Sequence, residues 1–220
     1  MKRFFDVLLS GLALLVLSPC LIPVIIVLKL TGEHYVFYKQ KRIGRNKKEF
    51  DLLKFATMLK DSPNLGTGEI TTKNDPRVLP FGRILRKTKI NELPQLINIL
   101  LGDMSIIGPR PLTPKHFFYY SEKAQACISQ ISPGLSGIAS VIFRDEETIM
   151  SKIDMDYTTC YKTMVTPYKE ALEIWYAKNH NLLIDFQIIF LTVWVVVFPK
   201  SQLPYKLLKN IPAKPSWMED

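Results

Sequence analysis

VLLSGLALLVLSPCLIPVIIVL, residues 7–28, is the stretch that decides the fold of this chain. From Val7 to Leu28 there is no charged side chain, about the length a helix needs to cross the hydrocarbon core of a bilayer. A secretory signal has a shorter apolar region and then a small-residue cleavage site. Here Ser18-Pro19 and Pro23 interrupt the run and Lys29 ends it, so the segment is expected to stay attached. A proline within a helix removes one backbone bond and crowds the preceding turn. A bend is therefore predicted at Ser18-Pro19, with the Ser18 hydroxyl able to take the freed carbonyl. Lys2 and Arg3 precede the run, while Lys29, Lys39, Lys41, Arg42, Arg45, Lys47 and Lys48 follow it. Positive flanks mark the cytoplasmic side. A helix that enters, bends and returns to one face satisfies both flanks. The alternative is a single kinked spanning helix, oriented by the denser second flank.

Outward from this segment, 220 residues suffice for one domain with a real core. The net charge of +9 favours anionic partners: nucleic acid, an acidic membrane surface or phosphorylated small molecules. The adjoining apolar run turns that choice toward membrane and lipid phosphate, and no nucleic-acid module is recognisable. Cys20, Cys127 and Cys160 stand far apart and odd in number, against a disulfide framework. His34, His116 and His180 do not cluster, so neither a zinc site nor a Ser-His-Asp triad is expected.

A second apolar stretch, Phe186 to Phe198, contains Trp194 and follows Asp185. It is too short to span a membrane and reads either as an interfacial helix or as a core helix. From Pro199 onward the chain is rich in Lys and Pro and reads as a poorly ordered extension. The expected divisions are a membrane helix over 1–30, a domain over 31–198 and a basic, Pro-containing tail over 199–220.

Within the middle part, Tyr35 to Tyr38 and Phe50 to Phe55 have strand propensity, and Asp61 to Asp75 reads as a loop. Apolar residues at Ile84, Leu85, Ile90, Leu93, Leu96, Ile97 and Leu100 approximate helical spacing. Pro94 divides that stretch, so one helix ends before it and another starts near it. Asn91, Glu92 and Gln95 then fall near a helix start, where a phosphate or carboxylate is favoured. Pro109 and Pro111 lock the backbone on both sides of Arg110. Its guanidinium either offers a fork to phosphate, or caps a turn or pairs with Asp103. Ser132-Pro133-Gly134-Leu135-Ser136-Gly137 permits tight turns and close backbone approach to a ligand, but matches neither the Walker nor the Rossmann spacing. Read from residues alone, the chain is a membrane-anchored cationic domain with an anionic-ligand site.

The motifs, taken in order, are Lys2-Arg3-Phe4-Phe5-Asp6, Ser18-Pro19, Val36-Phe37 with Gln40, Arg42 and Gly44, and Lys54-Phe55-Ala56-Thr57-Met58. Asp75-Pro76-Arg77-Val78, Phe81-Gly82-Arg83 and Leu85-Arg86-Lys87-Thr88 follow. Next come Asn91-Glu92-Leu93-Pro94-Gln95-Leu96, Gly102-Asp103-Met104-Ser105 and Gly108-Pro109-Arg110-Pro111. Pro133 to Gly137 and Tyr176 to Asp185 complete the set. In this order and at these distances they resemble the bacterial sugar transferase family of monotopic phosphoglycosyl transferases, from Lys2 to about Val197.

The resemblance implies an α+β, mostly helical fold. A re-entrant membrane helix hairpin packs on a compact cytoplasmic catalytic domain with short strands and interfacial helices, on the inner face of the bacterial inner membrane. The implied chemistry is attack by a carboxylate on the β-phosphate of a UDP-sugar, with release of UMP. The phosphosugar then passes to a polyprenol phosphate, undecaprenyl phosphate, as the first membrane step of glycan assembly. Mg2+ neutralises diphosphate charge in such a transfer. Implied roles are Glu92 and the position of Asn91 for catalysis, and Glu92 with Asp103 for the metal. Arg86, Arg110, Lys54 and Arg144 are implied for substrate and phosphate. The implied partners are the UDP-sugar, the lipid phosphate, inner-membrane lipids and downstream glycosyltransferases.

Each role has a plainer counterpart. Glu92 is also a carboxylate that favours a helix start, and Arg83, Arg86 and Lys87 are also a solvated face. Arg144, with Asp145-Glu146-Glu147, is also a surface charge cluster, and Trp175 and Tyr176 read as packing aromatics.

Two departures from the family pattern stand out. Ala56 occupies a position where Arg or Lys is common, with Lys54 as the neighbouring cation. More consequentially, Asn91-Glu92 replaces the usual Asp-Glu. A carboxamide has no anionic oxygen to attack phosphorus. Four readings follow: Glu92 is the nucleophile or transfer is direct; Asn91 deamidates; Asn91 is an engineered trap; or the chain is a catalytically silent membrane protein that binds nucleotide sugar or lipid phosphate.

Overall fold

The computed structural model describes residues 1–65, 75–151, 153–199 and 201–218. The chain is mostly helical with short strands and forms two compact units.

The first unit comprises Met1, Arg3–Gln40 and Asp51–Gly102. It opens with α1, Lys2–Leu30, a 29-residue helix containing Pro19 and Pro23, long and apolar enough to cross a membrane. Pro19 brings no N–H to the carbonyl of Leu15, and the Ser18 hydroxyl donates to that oxygen at 2.7 Å, as the Ser-Pro pair predicts. One side of α1 packs through Leu21 and Leu28 against Phe55 and Leu85. Strands β1, Phe37–Ile43, and β2, Glu49–Phe55, pair in a two-stranded sheet whose connecting turn belongs to the second unit. The strand read as starting at Tyr35 begins at Phe37 and runs on through the basic stretch. Lys39 and Lys41 face solvent on alternate positions, so their charge does not oppose the strand.

Two short helices follow, α2, Pro80–Lys87, and α3, Gln95–Leu101, with a 3-10 turn Ile90–Glu92 between them. The break falls where Pro94 predicts it. Gly82 lets α2 lie on the chain leaving β2, because a Cβ there would sit 2.2 Å from the Thr57 carbonyl oxygen. Asn98, buried on α3, bridges to the β2 backbone: it accepts from Leu53 N–H at 2.9 Å and donates to the Asp51 carbonyl at 2.9 Å. The C-terminal carbonyls of α3, at Ile99 and Leu100, accept from the Arg3 guanidinium. Of the loop read over Asp61 to Asp75, Ser62–Asn64 forms a 3-10 turn, and Asp75 pairs with Arg77 at 2.6 Å. Its residues 66–74 lie outside the described residues.

The second unit comprises Lys2, Lys41–Phe50 and Asp103–Asp220. In chain order it holds β3 (Ser105–Ile107), α4 (Pro114–Phe117), α5 (Glu122–Ile128), β4 (Gly134–Ser136), α6 (Ile138–Ile142), α7 (Glu146–Ser151), α8 (Tyr157–Cys160), α9 (Thr166–Asn179), α10 (Leu182–Val197) and α11 (Leu203–Leu207). β3 and β4 are parallel, with Ser105 opposite Gly134 and Ile107 opposite Ser136. Two glycines of the 132–137 stretch stand at a backbone crossing. A Cβ on Gly134 would lie 2.1 Å from Gly108 N, and one on Gly137 would lie 2.2 Å from Gly108 O.

Around this crossing the core gathers Ile138, Leu172, Tyr176, Ile188 and Leu191. Asn181 caps α10 by accepting from Ile184 N–H at 3.0 Å. The core reading of the second apolar stretch is met on one face, where Ile188, Leu191 and Val195 are buried, while the other face exposes Leu183, Phe186, Phe190, Val193 and Val197.

The reading of the tail as a poorly ordered extension is corrected. Leu208 is buried in the core, and Leu203, Leu207, Ile211, Trp217 and Met218 pack against it. Tyr168 hydroxyl bonds Tyr205 hydroxyl and the Pro212 carbonyl, both at 3.1 Å. The Lys and Pro residues of the tail mask an apolar pattern sufficient to dock it.

Candidate functional site

In the first unit the residues of interest sit on the β2–α2–α3 framework. Lys89 adopts a left-handed conformation (φ 60°) and turns the chain into Ile90–Glu92. Ile90 and Leu93, on either side of Asn91-Glu92, pack into the apolar cluster that includes Leu17, Leu21 and Leu28 of α1. The acidic turn is thus seated on the long apolar helix. Asn91 is buried, and its Oδ1 has no hydrogen-bond partner among the described residues. A buried carbonyl oxygen left that way costs about 1–3 kcal/mol. Glu92 beside it is half-buried. Arg86, on the half-buried side of α2, places Nη1 3.5 Å from Met58 Sδ, and Lys54 is half-buried on β2. Ala56 is buried, so the departure there lies in the core.

Three candidates fall in the second unit: Asp103 half-buried ahead of β3, and Arg110 and Arg144 with exposed side chains. The turn carrying Arg110 is held by Gly134 N–H to the Pro109 carbonyl at 2.8 Å and by Arg42 Nη1 to the Pro111 carbonyl at 3.0 Å. Arg110 borders a small open recess with Gly44, Phe117 and Pro133.

The groups that motif reading passes over lie along α9. Thr166, Lys169, Glu173 and Tyr176 form one buried polar seam along this helix. Their spacing of three, four and three is the available signal, because it puts all four on one helix face. Lys169 Nζ meets both carboxylate oxygens of Glu146, at 2.8 and 2.7 Å. Glu146, read as part of a surface cluster, is therefore an inward partner. Tyr176 hydroxyl donates to Asp185 at 2.5 Å, and Lys2 Nζ meets the same carboxylate at 2.7 Å. Both are structural ties, in keeping with Tyr176 as a packing residue.

Burial pushes the Glu173 carboxyl up to about 7, opposed by the Arg110 N–H and by the charges of Lys169 and Arg110. Burial lowers Lys169, opposed chiefly by Glu146. The folded state thus binds the Glu173 proton more tightly than the unfolded chain, whose reference value is 4.5. That stabilisation is full below about pH 4.5 and is lost as pH rises through about 7. At about 1.4 kcal/mol per unit it amounts to about 3 kcal/mol. Glu173→Gln is expected to remove this slope. Denaturant melts of wild type and variant between those pH values measure it, and parallel curves refute the assignment.

No group of three metal-binding side chains occurs among the described residues. Mg2+ is commonly held by one or two carboxylates together with substrate phosphates. Glu92 and the unpartnered Asn91 Oδ1 are hard oxygen donors that fit such a site.

Comparison with known proteins accords with this arrangement. The family model described as bacterial sugar transferase matches residues 1–199. The exopolysaccharide production protein ExoY of Sinorhizobium fredii is 35% identical over 214 residues, covering 91% of this chain and 87% of that protein. The uncharacterized sugar transferase EpsL of Bacillus subtilis is 33% identical over 193 residues, covering 88% and 85%. The UDP-glucose:undecaprenyl-phosphate glucose-1-phosphate transferase of Escherichia coli is 32% identical over 197 residues, which span 88% of this chain and 39% of that protein. With its length matched almost throughout, the chain belongs to the bacterial sugar transferase family and is by that membership a phosphoglycosyl transferase.

Proposed function

We propose that the chain transfers a sugar 1-phosphate from a UDP-sugar to undecaprenyl phosphate, releasing UMP, at the start of a bacterial glycan assembly line. The observation that carries this reading is the seating of Asn91-Glu92 on α1 through Ile90 and Leu93. It puts an acidic turn beside an apolar membrane element, where a soluble nucleotide and a lipid phosphate can both arrive. In the reaction the bond from the β-phosphorus to the bridging oxygen of the diphosphate breaks and UMP carries that oxygen away. The β-phosphorus, still bearing the sugar, is bonded instead to an oxygen of the lipid phosphate, either directly or by way of Glu92. Glu92, with Asn91 Oδ1, would hold Mg2+, which supplies neutralisation of diphosphate charge when bound. Arg86 and Lys54, in the same unit, offer further positive charge to phosphate, and Arg110 and Arg144, in the second unit, are each read separately as a phosphate or nucleotide contact.

The finer membrane reading is a helix with both ends on the cytoplasmic face of the inner membrane. Two contacts support it: Arg3 at one end donates to the α3 carbonyls, and Leu28 at the other is buried with Phe55 and Leu85. Ties to the same unit near both ends of the helix are what support placing both ends on one face. The exposed apolar face of α10 supplies a second surface for lipid.

The orphaned Asn91 favours one competing reading, a silent protein that binds nucleotide sugar or lipid phosphate. Purified chain incubated with undecaprenyl phosphate, Mg2+ and a panel of UDP-sugars decides between them. UMP together with a lipid-linked sugar is the expected result. Thermal stabilisation by a UDP-sugar without any UMP points to the silent binder and overturns the transferase.

A further inference from the structure

Arg110 stands between two prolines, so its peptide N–H is the single backbone donor within Pro109-Arg110-Pro111. That N–H is given to Oε1 of Glu173 on α9, at 3.1 Å. Glu173 is 2% exposed and its Oε2 has no hydrogen-bond partner among the described residues. Packing alone does not account for such a residue. A buried carboxyl with one oxygen unsatisfied is costly, and an apolar side chain would fill the same space at less cost. The neighbouring Lys169 does not relieve it by hydrogen bonding, since its contacts at 2.8 and 2.7 Å go to Glu146. Tyr120, Lys169 and Arg110 are the titratable and charged groups that act on Glu173 from the elements around it.

The other ties on the turn reach its flanks. Gly108 N–H goes to Ser136 O at 3.0 Å, and the Pro109 and Pro111 carbonyls accept from Gly134 and Arg42. The Pro109 carbonyl belongs to the same peptide group as the Arg110 N–H, so Gly134 holds that group by its oxygen and Glu173 holds it by its nitrogen. Pro111 restricts Arg110 to extended backbone angles, and the tilt of the Pro109–Arg110 peptide plane is then set by its two bonds, from Gly134 at the oxygen and to Glu173 at the N–H. We propose that Glu173 is a positioning residue for Arg110: by accepting that peptide N–H it sets the direction from which the exposed guanidinium reaches the phosphates of the nucleotide sugar. The proposal rests on the reading of Arg110 as a phosphate contact. Glu173 itself touches no substrate.

The test uses the full chain in lipid nanodiscs, with arginine labelled for amide hydrogen exchange and with UMP release measured in parallel. In Glu173→Ala, exchange at the Arg110 amide is expected to speed up about tenfold or more. In Glu173→Gln, whose carbonyl still accepts, it should stay within about threefold of wild type. Unchanged exchange in Glu173→Ala overturns the proposal whatever the activity. In turnover, Glu173→Ala should raise KM for the UDP-sugar about tenfold, yet add nothing in an Arg110→Gln background. Full additivity of the two substitutions would make Glu173 a residue of general structure and sink the positioning role. A wild type that releases no UMP counts against the transferase reading alone, because the exchange result stands apart from it. Should Glu173→Ala fail to fold, the Arg110 amide shift decides. It should move between about pH 5.5 and about 8.5 in wild type and stay flat in Glu173→Gln; a flat wild type overturns the proposal.

Discussion

Glu92→Gln is expected to lower UMP release by about a thousandfold or more, with the melting temperature little changed. Glu92 is the acidic group on the turn that packs against α1, and its neighbour Asn91 offers only a neutral carbonyl oxygen. Replacing the carboxylate by its isosteric amide leaves shape and packing intact. It removes the negative charge that serves either to hold a divalent ion or to attack phosphorus. A wild-type rate in Glu92→Gln would take Glu92 out of the mechanism. Asn91→Asp separates the remaining routes. If the ordinary aspartyl route is latent, activity is preserved or rises, and the intact mass of that variant shows a phosphosugar adduct that disappears once lipid phosphate is added. Loss of a robust activity in Asn91→Asp would instead mean that the amide has its own adapted task.

The largest loss of stability is expected from Glu146→Ala. Lys169 is buried, and its ammonium is met by both oxygens of Glu146. Removing one partner of a buried pair leaves the other charge uncompensated, at about 3–5 kcal/mol. Such a loss lowers the melting temperature by roughly 10 °C in a chain of this size. The charge itself is the cause, so the deficit should shrink where lysine gives up its proton. Burial already lowers the Lys169 value, and without Glu146 its main opponent is gone. Folded stability of Glu146→Ala should therefore recover as pH rises toward the ordinary lysine range. Lys169→Met in the same background should restore most of the loss. A deficit that is constant with pH and untouched by Lys169→Met would show that the effect is packing and not charge.

What can be read from sequence follows from how local each signal is. The apolar run of α1, the Ser18 hydroxyl on the carbonyl freed by Pro19, and the helix break before Pro94 rest on residues within one turn of each other. Lys2 and Arg3 carry meaning in the sequence only as charges flanking an apolar run. Their partners, Asp185 and the carbonyls of Ile99 and Leu100, are about a hundred or more positions away, and nothing near Lys2 announces them. The same holds for Glu173, whose contact with Arg110 spans 63 positions. The tail reads as disordered because Lys and Pro dominate its composition, while the docking rests on Leu208, Tyr205 and Trp217. At Asn91 the residue type is legible; its buried, unpartnered oxygen requires coordinates.

The crossing of Gly108, Gly134 and Gly137 carries a lesson about inheritance. Two stretches of main chain meet there with no space for even a methyl group, and one of them leads directly into the turn that carries Arg110. Inheritance can therefore exchange the side chains around Arg110 more freely than the three glycines beneath it.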